Sequence, residues 1–220
     1  MNRGMIKTTI REIKGSLGRY LAIFAIVLLG VALFMGLKAT KPAMIETGND
    51  YLAAQNFYDF RLLSEIGFEN EDVEKLAQME QTAAVEGAIS VDAVCTFGDG
   101  NEPVYKFHTV PKEINQVVLT AGRMPQKADE CVLDSALYGE DLIGSKITLT
   151  DNNDPDTLDL FGERTFTAVG IVRSPYYINF ERGTTSIGDG KITAFLYVPR
   201  EAFSCDYLTE IYVRTNQKFD

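Results

Sequence analysis

The chain has one histidine, His108, and no tryptophan, and its three cysteines stand far apart without a Cys-x-x-Cys pair. One histidine with scattered cysteines does not provide the spacing of a zinc or iron–sulfur site. An odd number of cysteines gives no closed disulfide framework, although one pair could form outside the cell. We therefore expect Cys95, Cys131 and Cys205 to serve as small buried apolar side chains, and His108 to be structural.

Sequence motifs for nucleotide binding and nucleophilic catalysis are also missing. The glycine-rich stretch 183–191 only partly matches a phosphate-binding loop, because Asp189 stands before the final glycine and Ile192 follows Lys191. A carboxylate at that place would repel phosphate. No Gly-x-Ser-x-Gly elbow accompanies the single histidine. The stretch is predicted to be a surface loop, and we predict no catalytic residue and no cofactor.

An acidic stretch, residues 152–163, places oxygen-bearing side chains in the register of a calcium loop. The position that must turn sharply is normally glycine, but here it is Thr157, and Pro155 disturbs the register further. We therefore interpret the stretch as a solvated acidic hairpin and predict no metal site.

The most prominent feature of the sequence is an uncharged apolar run over residues 21–37, flanked by Arg19 and Lys38. As a helix it would reach about 25 Å, close to the roughly 30 Å hydrocarbon core of a bilayer. A buried core helix would keep a polar face, and a cleaved signal peptide would have a shorter run and a small-residue cleavage site. We predict an uncleaved transmembrane helix over residues 20–38.

The charge is distributed unevenly around this run. The whole chain carries −10. Residues 1–41 hold seven lysines or arginines and one glutamate, a net charge of +6, so residues 42–220 carry −16. Five basic residues precede the run and two follow it, which places the N-terminus in the cytoplasm and the larger part outside. The acidic larger part also excludes nucleic acid as a partner.

The segment before the span, residues 1–19, has a helical stripe of apolar side chains with basic side chains beside it. The stripe residues are Ile6, Ile10, Ile13 and Leu17. The basic residues off the stripe are Lys7, Arg11 and Lys14. This pattern is typical of an amphipathic helix on the cytoplasmic membrane surface, although the segment could instead simply extend the span. Within the span, Ala32 and Gly36 form a small-xxx-small pattern that would let a second helix approach closely.

Residues 43–220 are predicted to form an α+β domain. The expected elements are a helix over 42–55, a strand over 57–64, a helix over 70–80, a β-hairpin with arms 85–97 and 103–110, and strands over 130–133, 145–150, 165–173, 192–198 and 210–214. A polar acidic loop over 151–159 and a glycine-rich loop over 183–190 connect some of these strands.

Several short segments resemble a known family when they are taken together in order. They are Ala-Gly-Arg-Met-Pro at 121–125, Glu-Cys-Val-Leu-Asp at 130–134, Ile-Gly at 143–144, Ile-Thr-Leu at 147–149, Phe-Thr-Ala-Val-Gly-Ile-Val at 166–172 and Ser-Pro-Tyr-Tyr at 174–177. This set resembles the extracytoplasmic core domain of FtsX/MacB-like ABC transporter permeases. Residues 10–19 also resemble the segment that precedes the first span of these permeases.

The resemblance implies a fold and a function. The first transmembrane helix would lead into an extracytoplasmic α+β domain with a porter-like part and an inserted β-rich part. The chain would be a non-catalytic permease subunit in the bacterial plasma membrane, and it would couple a separate cytoplasmic ABC ATPase to the outer domain for export or mechanotransmission. It would contact membrane lipid and would pair with a second copy or a second permease.

Particular residues are candidates for these contacts. Those expected to couple to the ATPase are Ile6, Ile10, Arg11, Ile13, Lys14 and Leu17, and those expected to pack against another helix are Ala32 and Gly36. Members of the family return to the membrane at least three more times, so we expect this sequence to be an N-terminal fragment or a truncated gene product. The alternatives are a single-pass envelope adaptor or sensor, and an anchored enzyme, which would need a cluster of catalytic groups.

Overall fold

The computed structural model describes residues 9, 11, 15–98 and 100–216. A boundary between Asp50 and Tyr51 divides the chain into two compact units. The first contains most of the long helix α1 (Leu17–Ala54), and the second is a β-rich domain. This agrees with the predicted fold class, an N-terminal apolar helix followed by a β-rich α+β domain.

Helix α1 is long and apolar enough to cross a membrane. Its side chains over residues 21–37 are exposed, as expected of a helix whose apolar surface meets lipid instead of a protein core. The prediction that a separate short helix starts at Pro42 is wrong, because α1 continues through this residue. Proline removes only its own donor to the Lys38 carbonyl, and helix-favouring residues on both sides continue the turn.

The β-rich domain contains two sheets and a few short helices. In chain order its elements are β1 (Phe60–Phe68), α2 (Asn70–Ala77), β2 (Thr82–Ala88), β3 (Ser90–Thr96), β4 (Val104–Thr109), β5 (Val118–Gly122), β6 (Glu130–Asp134), a 3-10 turn (Glu140–Leu142), β7 (Lys146–Leu149), α3 (Pro155–Asp159), β8 (Thr165–Arg173), β9 (Ala194–Val198), a second 3-10 turn (Arg200–Ala202) and β10 (Leu208–Thr215).

The smaller sheet has the strand order β1-β10-β2 and is antiparallel throughout. Helix α2 follows β1 and contacts β2. Its start at Asn70 matches the sequence prediction, and the Glu69 amide donates to Asp72 Oδ2 at 3.1 Å in the first turn. The helix ends at Ala77, three residues before the predicted end.

The larger sheet has the order β5-β8-β6-β9-β4-β3-β7, and β7 also pairs with β8. This second pairing closes β8, β6, β9, β4, β3 and β7 into a barrel, with β5 attached outside. The pairs β4–β9 and β6–β8 are parallel. Large side chains without solvent exposure, including Phe107, Leu133 and Phe166, fill the inside, so the barrel is a packed core.

The sequence located most of the strands. Strand β8 covers the predicted residues 165–173, and β3 and β4 form the predicted hairpin, with Ser90 opposite His108. The predicted arm 85–97 is wrong as a single strand, because its first part belongs to β2 in the smaller sheet and its second part to β3 in the barrel. Strand β5 was not predicted.

The prediction of a polar acidic loop over residues 151–159 is only partly correct. Its four aspartates are exposed, but the segment contains helix α3, and Asn153 is buried. The Asn153 side chain accepts a hydrogen bond from the Val94 amide at 2.7 Å. Its amide group donates to the carbonyls of Val94 and Thr150, at 2.7 and 2.9 Å. This side chain replaces a missing strand partner beside β3, which hydropathy alone does not reveal.

Candidate functional site

The residues predicted to couple to an ATPase lie at the start of the chain. Arg11 and Leu17 are exposed, and Ile6, Ile10, Ile13 and Lys14 lie outside the described residues. Ala32 and Gly36 are exposed on α1, and a side chain added at Gly36 would meet nothing within 4 Å. The small-xxx-small surface is therefore accessible within the described chain.

Two asparagines hold the chain that follows α1 onto the β-rich domain, and we call them the asparagine clamp. Asn56 and Asn115 both have positive φ angles, 51° and 59°. The Asn115 amide donates to the Asn56 carbonyl at 3.1 Å, and Asn56 Nδ2 donates to the Glu113 carbonyl at 3.2 Å. Asn115 Oδ1 accepts from the Tyr58 amide at 3.2 Å, and Asn56 Oδ1 accepts from Arg214 at 2.8 Å.

A carboxylate fixes the segment that carries Asn115. Glu86, on β2, accepts from three successive backbone amides, those of Lys112, Glu113 and Ile114, at 2.6, 2.9 and 2.7 Å. Successive amides that converge on one anion form a compact binding turn. Because Ile114 is also fully buried, the clamp rests on a segment that is held from two sides.

Near the clamp, aromatic side chains connect the two sheets, and one ion pair links β1 to β10 within the smaller sheet. Tyr58, Tyr176 and Tyr212 pack together, with ring centroids 5.2–6.4 Å apart. Arg61 donates to both carboxylate oxygens of Glu210 at 2.9 Å, and the Tyr212 hydroxyl donates to Glu210 Oε2 at 2.5 Å. Burial alone would raise the pKa of Glu210, but these hydrogen bonds lower it, so the carboxylate stays ionised.

His108 lies in this interface and is buried, in agreement with the predicted structural role. Its Nε2 is 2.7 Å from the Tyr177 hydroxyl, and its ring stacks on Tyr197 at 5.3 Å. Burial lowers the pKa of His108 to about 4, so the imidazole is neutral at physiological pH.

The motif segments quoted for the family resemblance supply an ion pair at one end of the barrel. Arg123 donates to the two carboxylate oxygens of Glu130 at 2.6 and 2.7 Å. Glu130 also accepts from the Gln126 amide at 2.8 Å. The Arg123 hydrogen bond and then the Gln126 amide lower the pKa of Glu130 to about 2. These residues close the loop between β5 and β6, which is a structural role.

A second pair fastens the loop between β8 and β9. Arg182 and Asp134 are almost completely buried, with side-chain exposures of 4% and 2%. Arg182 Nη2 donates to Asp134 Oδ1 at 3.1 Å, its Nε donates to the other oxygen, and its Nη1 donates to the Asn179 carbonyl. The guanidinium also lies over the stacked rings of Tyr177 and Phe195, at 5.6 and 5.5 Å. We call residues 175–191 the arginine-pinned loop.

The arginine-pinned loop borders a groove of about 460 Å³. The other walls come from Tyr51, the end of β6 and the end of β8 at Arg173. Ile178 and Phe180 stand on the loop with 70% and 95% of their surface exposed. The Tyr51 hydroxyl is buried without a hydrogen-bond partner among the described residues, and burial raises its pKa while the nearby Arg173 charge lowers it.

The side chains that line the groove are suited to binding a ligand. Among the described residues, its lining contains no histidine, cysteine or glutamate, which are the usual bases or nucleophiles of covalent catalysis. It does combine an arginine, a phenol and exposed apolar side chains. The sequence analysis missed this groove, because its polar groups come from positions up to 131 residues apart, from Tyr51 to Arg182. Asp134 lies inside a quoted motif, but its pairing with Arg182 is visible only in the fold.

No protein-family model matches the chain, and no curated protein matches it. Among solved structures, it is similar to the extracellular domain of the noncanonic ABC-type transporter YknZ from Gram-positive bacteria, with 12% identity, a TM-score of 0.44, and coverage of 73% of this chain and 82% of that one. It is also similar to the periplasmic region of MacB from Actinobacillus actinomycetemcomitans, with 13% identity, a TM-score of 0.41 and coverages of 72% and 68%.

A third similar structure is a domain assigned to a permease protein from Porphyromonas gingivalis, with 12% identity, a TM-score of 0.42 and coverages of 73% and 65%. These values describe a distant likeness between domains.

Proposed function

We propose that this chain is a permease subunit of an FtsX/MacB-type ABC transporter, and that it couples a cytoplasmic ATPase to an extracytoplasmic domain for export or mechanotransmission. The observation that carries the proposal is a helix with an exposed, uncharged apolar run over residues 21–37, followed by a domain whose motif residues form structural ion pairs. Arg123 pairs with Glu130, and Asp134 pairs with Arg182. The motifs that carry the resemblance thus build a scaffold, as a non-catalytic subunit requires.

ATP hydrolysis belongs to a separate partner in this proposal. The partner would need to bind two states of the permease with affinities that differ by only a few kcal/mol, which is within the usual range of coupling free energies. The contact would lie on the apolar stripe before the span, which includes Ile10, Ile13 and Leu17. Ala32 and Gly36 would contact a second permease helix in the bilayer.

The proposed location is the bacterial plasma membrane, with a cytoplasmic N-terminus and an extracytoplasmic β-rich domain. The support is the excess of basic residues before the span. Alkaline phosphatase fused after Asp220 should be active in intact bacteria, whereas green fluorescent protein at the same place should not be fluorescent after Sec-dependent export. The opposite pair of results would reverse the orientation and remove the basis of the proposal.

The coupling role is tested in the complete permease by co-expression with ABC ATPases of the same genome. The variant with Ile10→Glu and Ile13→Glu should lose ATPase co-purification and permease-stimulated hydrolysis, while the span still inserts. The matched control, Thr8→Glu with Gly15→Glu, adds the same charge on the opposite helical side and should retain both. Equal behaviour of the two variants would show that the stripe does not couple. If the unaltered permease retains no ATPase, the coupling role is excluded.

A further inference from the structure

The groove beside the arginine-pinned loop differs in charge from the rest of its domain. Its lining contains three side chains of charged residue types: Asp134, Arg173 and Arg182. Asp134 and Arg182 neutralise each other, so Arg173 leaves the lining with a net charge of +1. The chain from residue 42 onward carries −16. A cationic groove on an acidic domain favours an anionic ligand by charge complementarity.

At the polar end of the groove, two side chains carry hydrogen-bond donors that have no acceptor among the described residues. Arg173 is exposed at the end of β8, where its guanidinium can present two parallel N–H groups. The Tyr51 hydroxyl is buried beside it and has no partner among the described residues. A buried hydroxyl without a partner is costly, and an acceptor that both groups could reach would remove that cost. A carboxylate meets this requirement, because it accepts at both oxygens.

The other end of the groove is apolar and held in place. Ile178 and Phe180 are 70% and 95% exposed, although they stand on a loop fixed by the buried Arg182. Adjacent exposed apolar side chains on a fixed support are typical of a surface that another apolar group covers. The groove volume of about 460 Å³ lies in the range of small-molecule sites.

We propose that this groove binds a carboxylate attached to an apolar segment. The carboxylate accepts hydrogen bonds from the Arg173 guanidinium and the Tyr51 hydroxyl. The apolar segment covers Ile178 and Phe180. This inference goes beyond the proposed function, and it holds whether or not an ATPase partner exists, because it concerns binding to the β-rich domain alone.

The test is isothermal titration of the full chain in nanodiscs, with empty nanodiscs as the reference. One probe pair is octanoate and its neutral isostere octanamide. The other is the peptide N-acetyl-Ala-Leu-Phe with a free carboxylate and the same peptide as an amide. In at least one pair the acid should bind saturably and about tenfold more tightly than the amide, since a charged hydrogen bond is lost in the amide. Preference for octanoate assigns the carboxylate to a fatty acid, and preference for the peptide assigns it to a peptide C-terminus.

Variants locate the binding. Arg173→Gln should weaken acid binding about tenfold, and Phe180→Ser should weaken it severalfold. The matched controls are Arg164→Gln, an exposed arginine next to the other end of β8, and Ile66→Ser, a side chain that is 96% exposed on β1. Both controls should bind as the unaltered chain does. Equal affinity for acid and amide in both pairs, or equal loss in Arg164→Gln and Arg173→Gln, would overturn the proposal. Circular dichroism verifies the fold of each variant.

Discussion

At the scale of single residues, the β-rich domain holds several charged side chains inside, and the ion pairs described above give each a direct partner. Asp134 meets Arg182, and Glu210 meets Arg61. A buried charge is tolerated only when hydrogen bonds replace its lost water, so each pair constrains two distant segments to meet. His108 avoids a buried charge because its imidazole remains neutral.

Removing one member of the buried Asp134–Arg182 pair should be much more harmful than removing both. Arg182→Met leaves the carboxylate unpaired and should lower the free energy of unfolding by about 3–5 kcal/mol. Adding Asp134→Leu to this variant should recover a large part of the lost free energy of unfolding, because neither charge of the pair remains buried. Denaturant unfolding of the full chain in detergent measures both. The exposed pair of Lys75 and Asp72, 3.5 Å apart, supplies the control, and Lys75→Met should cost less than about 1 kcal/mol. Similar losses in the two single variants would contradict this account.

His108 should make the domain less stable in mild acid. Its pKa is about 4 in the folded domain and 6.5 ordinarily. Between these values the unfolded chain binds a proton that the folded chain does not, so the free energy of unfolding falls as pH decreases from 6.5 to 4. A shift of this size corresponds to about 3 kcal/mol. The loss between pH 7 and 4.5 should therefore be smaller in His108→Gln than in the unaltered chain. Identical pH slopes in denaturant unfolding would show that His108 does not contribute.

At the scale of elements, the asparagine clamp fixes residues 56–58 onto the β-rich domain. Its two central residues have left-handed backbone conformations that most side chains avoid, and their side chains bond across to the opposing segment. Asparagine tolerates this conformation better than other non-glycine residues, which explains its use at both places. The clamp thus joins Asn56 to a segment nearly 60 residues away in the sequence. Glu86 holds that segment by accepting hydrogen bonds from its backbone amides.

Substitutions at Asn115 should show the clamp geometry. Asn115→Gly keeps the positive φ angle but loses the bond to the Tyr58 amide, whereas Asn115→Ala loses both. The alanine variant should therefore be less stable than the glycine variant by about 1–2 kcal/mol. Glu74, in the interior of α2, is the control position. There the glycine variant should be the less stable of the two, since glycine costs a helix about 1 kcal/mol relative to alanine. The same order at both positions, measured by thermal unfolding, would be inconsistent with a clamp.

At the scale of the whole molecule, labelling of an accessible thiol tests which side of the membrane holds the β-rich domain. Cys95 and Cys131 are buried in the barrel, and Cys205 is half-buried. A membrane-impermeant maleimide should label Cys205 in intact cells, slowly near neutral pH because burial raises the pKa of its thiol. Cys205→Ser should abolish this labelling. Labelling of the unaltered chain only after lysis would place the domain in the cytoplasm.

The sequence by itself determined the span, the charge asymmetry and most strands, because these depend on local properties. An uncharged run of 17 residues needs no partner to be recognised, and the alternation in β8 is contained in nine residues. The short motifs that carry the family resemblance could also be recognised in the sequence. The ion pairs that Glu130 and Asp134 form could not.

Only the tertiary structure decided which distant groups meet. The division of residues 85–97 between two sheets depends on β10, which pairs with β2 from more than 100 residues away. The burial of Asn153 depends on the backbone of Val94, and the groove depends on Tyr51 reaching Arg173. Such contacts depend on the closure of long loops and on complementary charges and shapes, and no local periodicity records them.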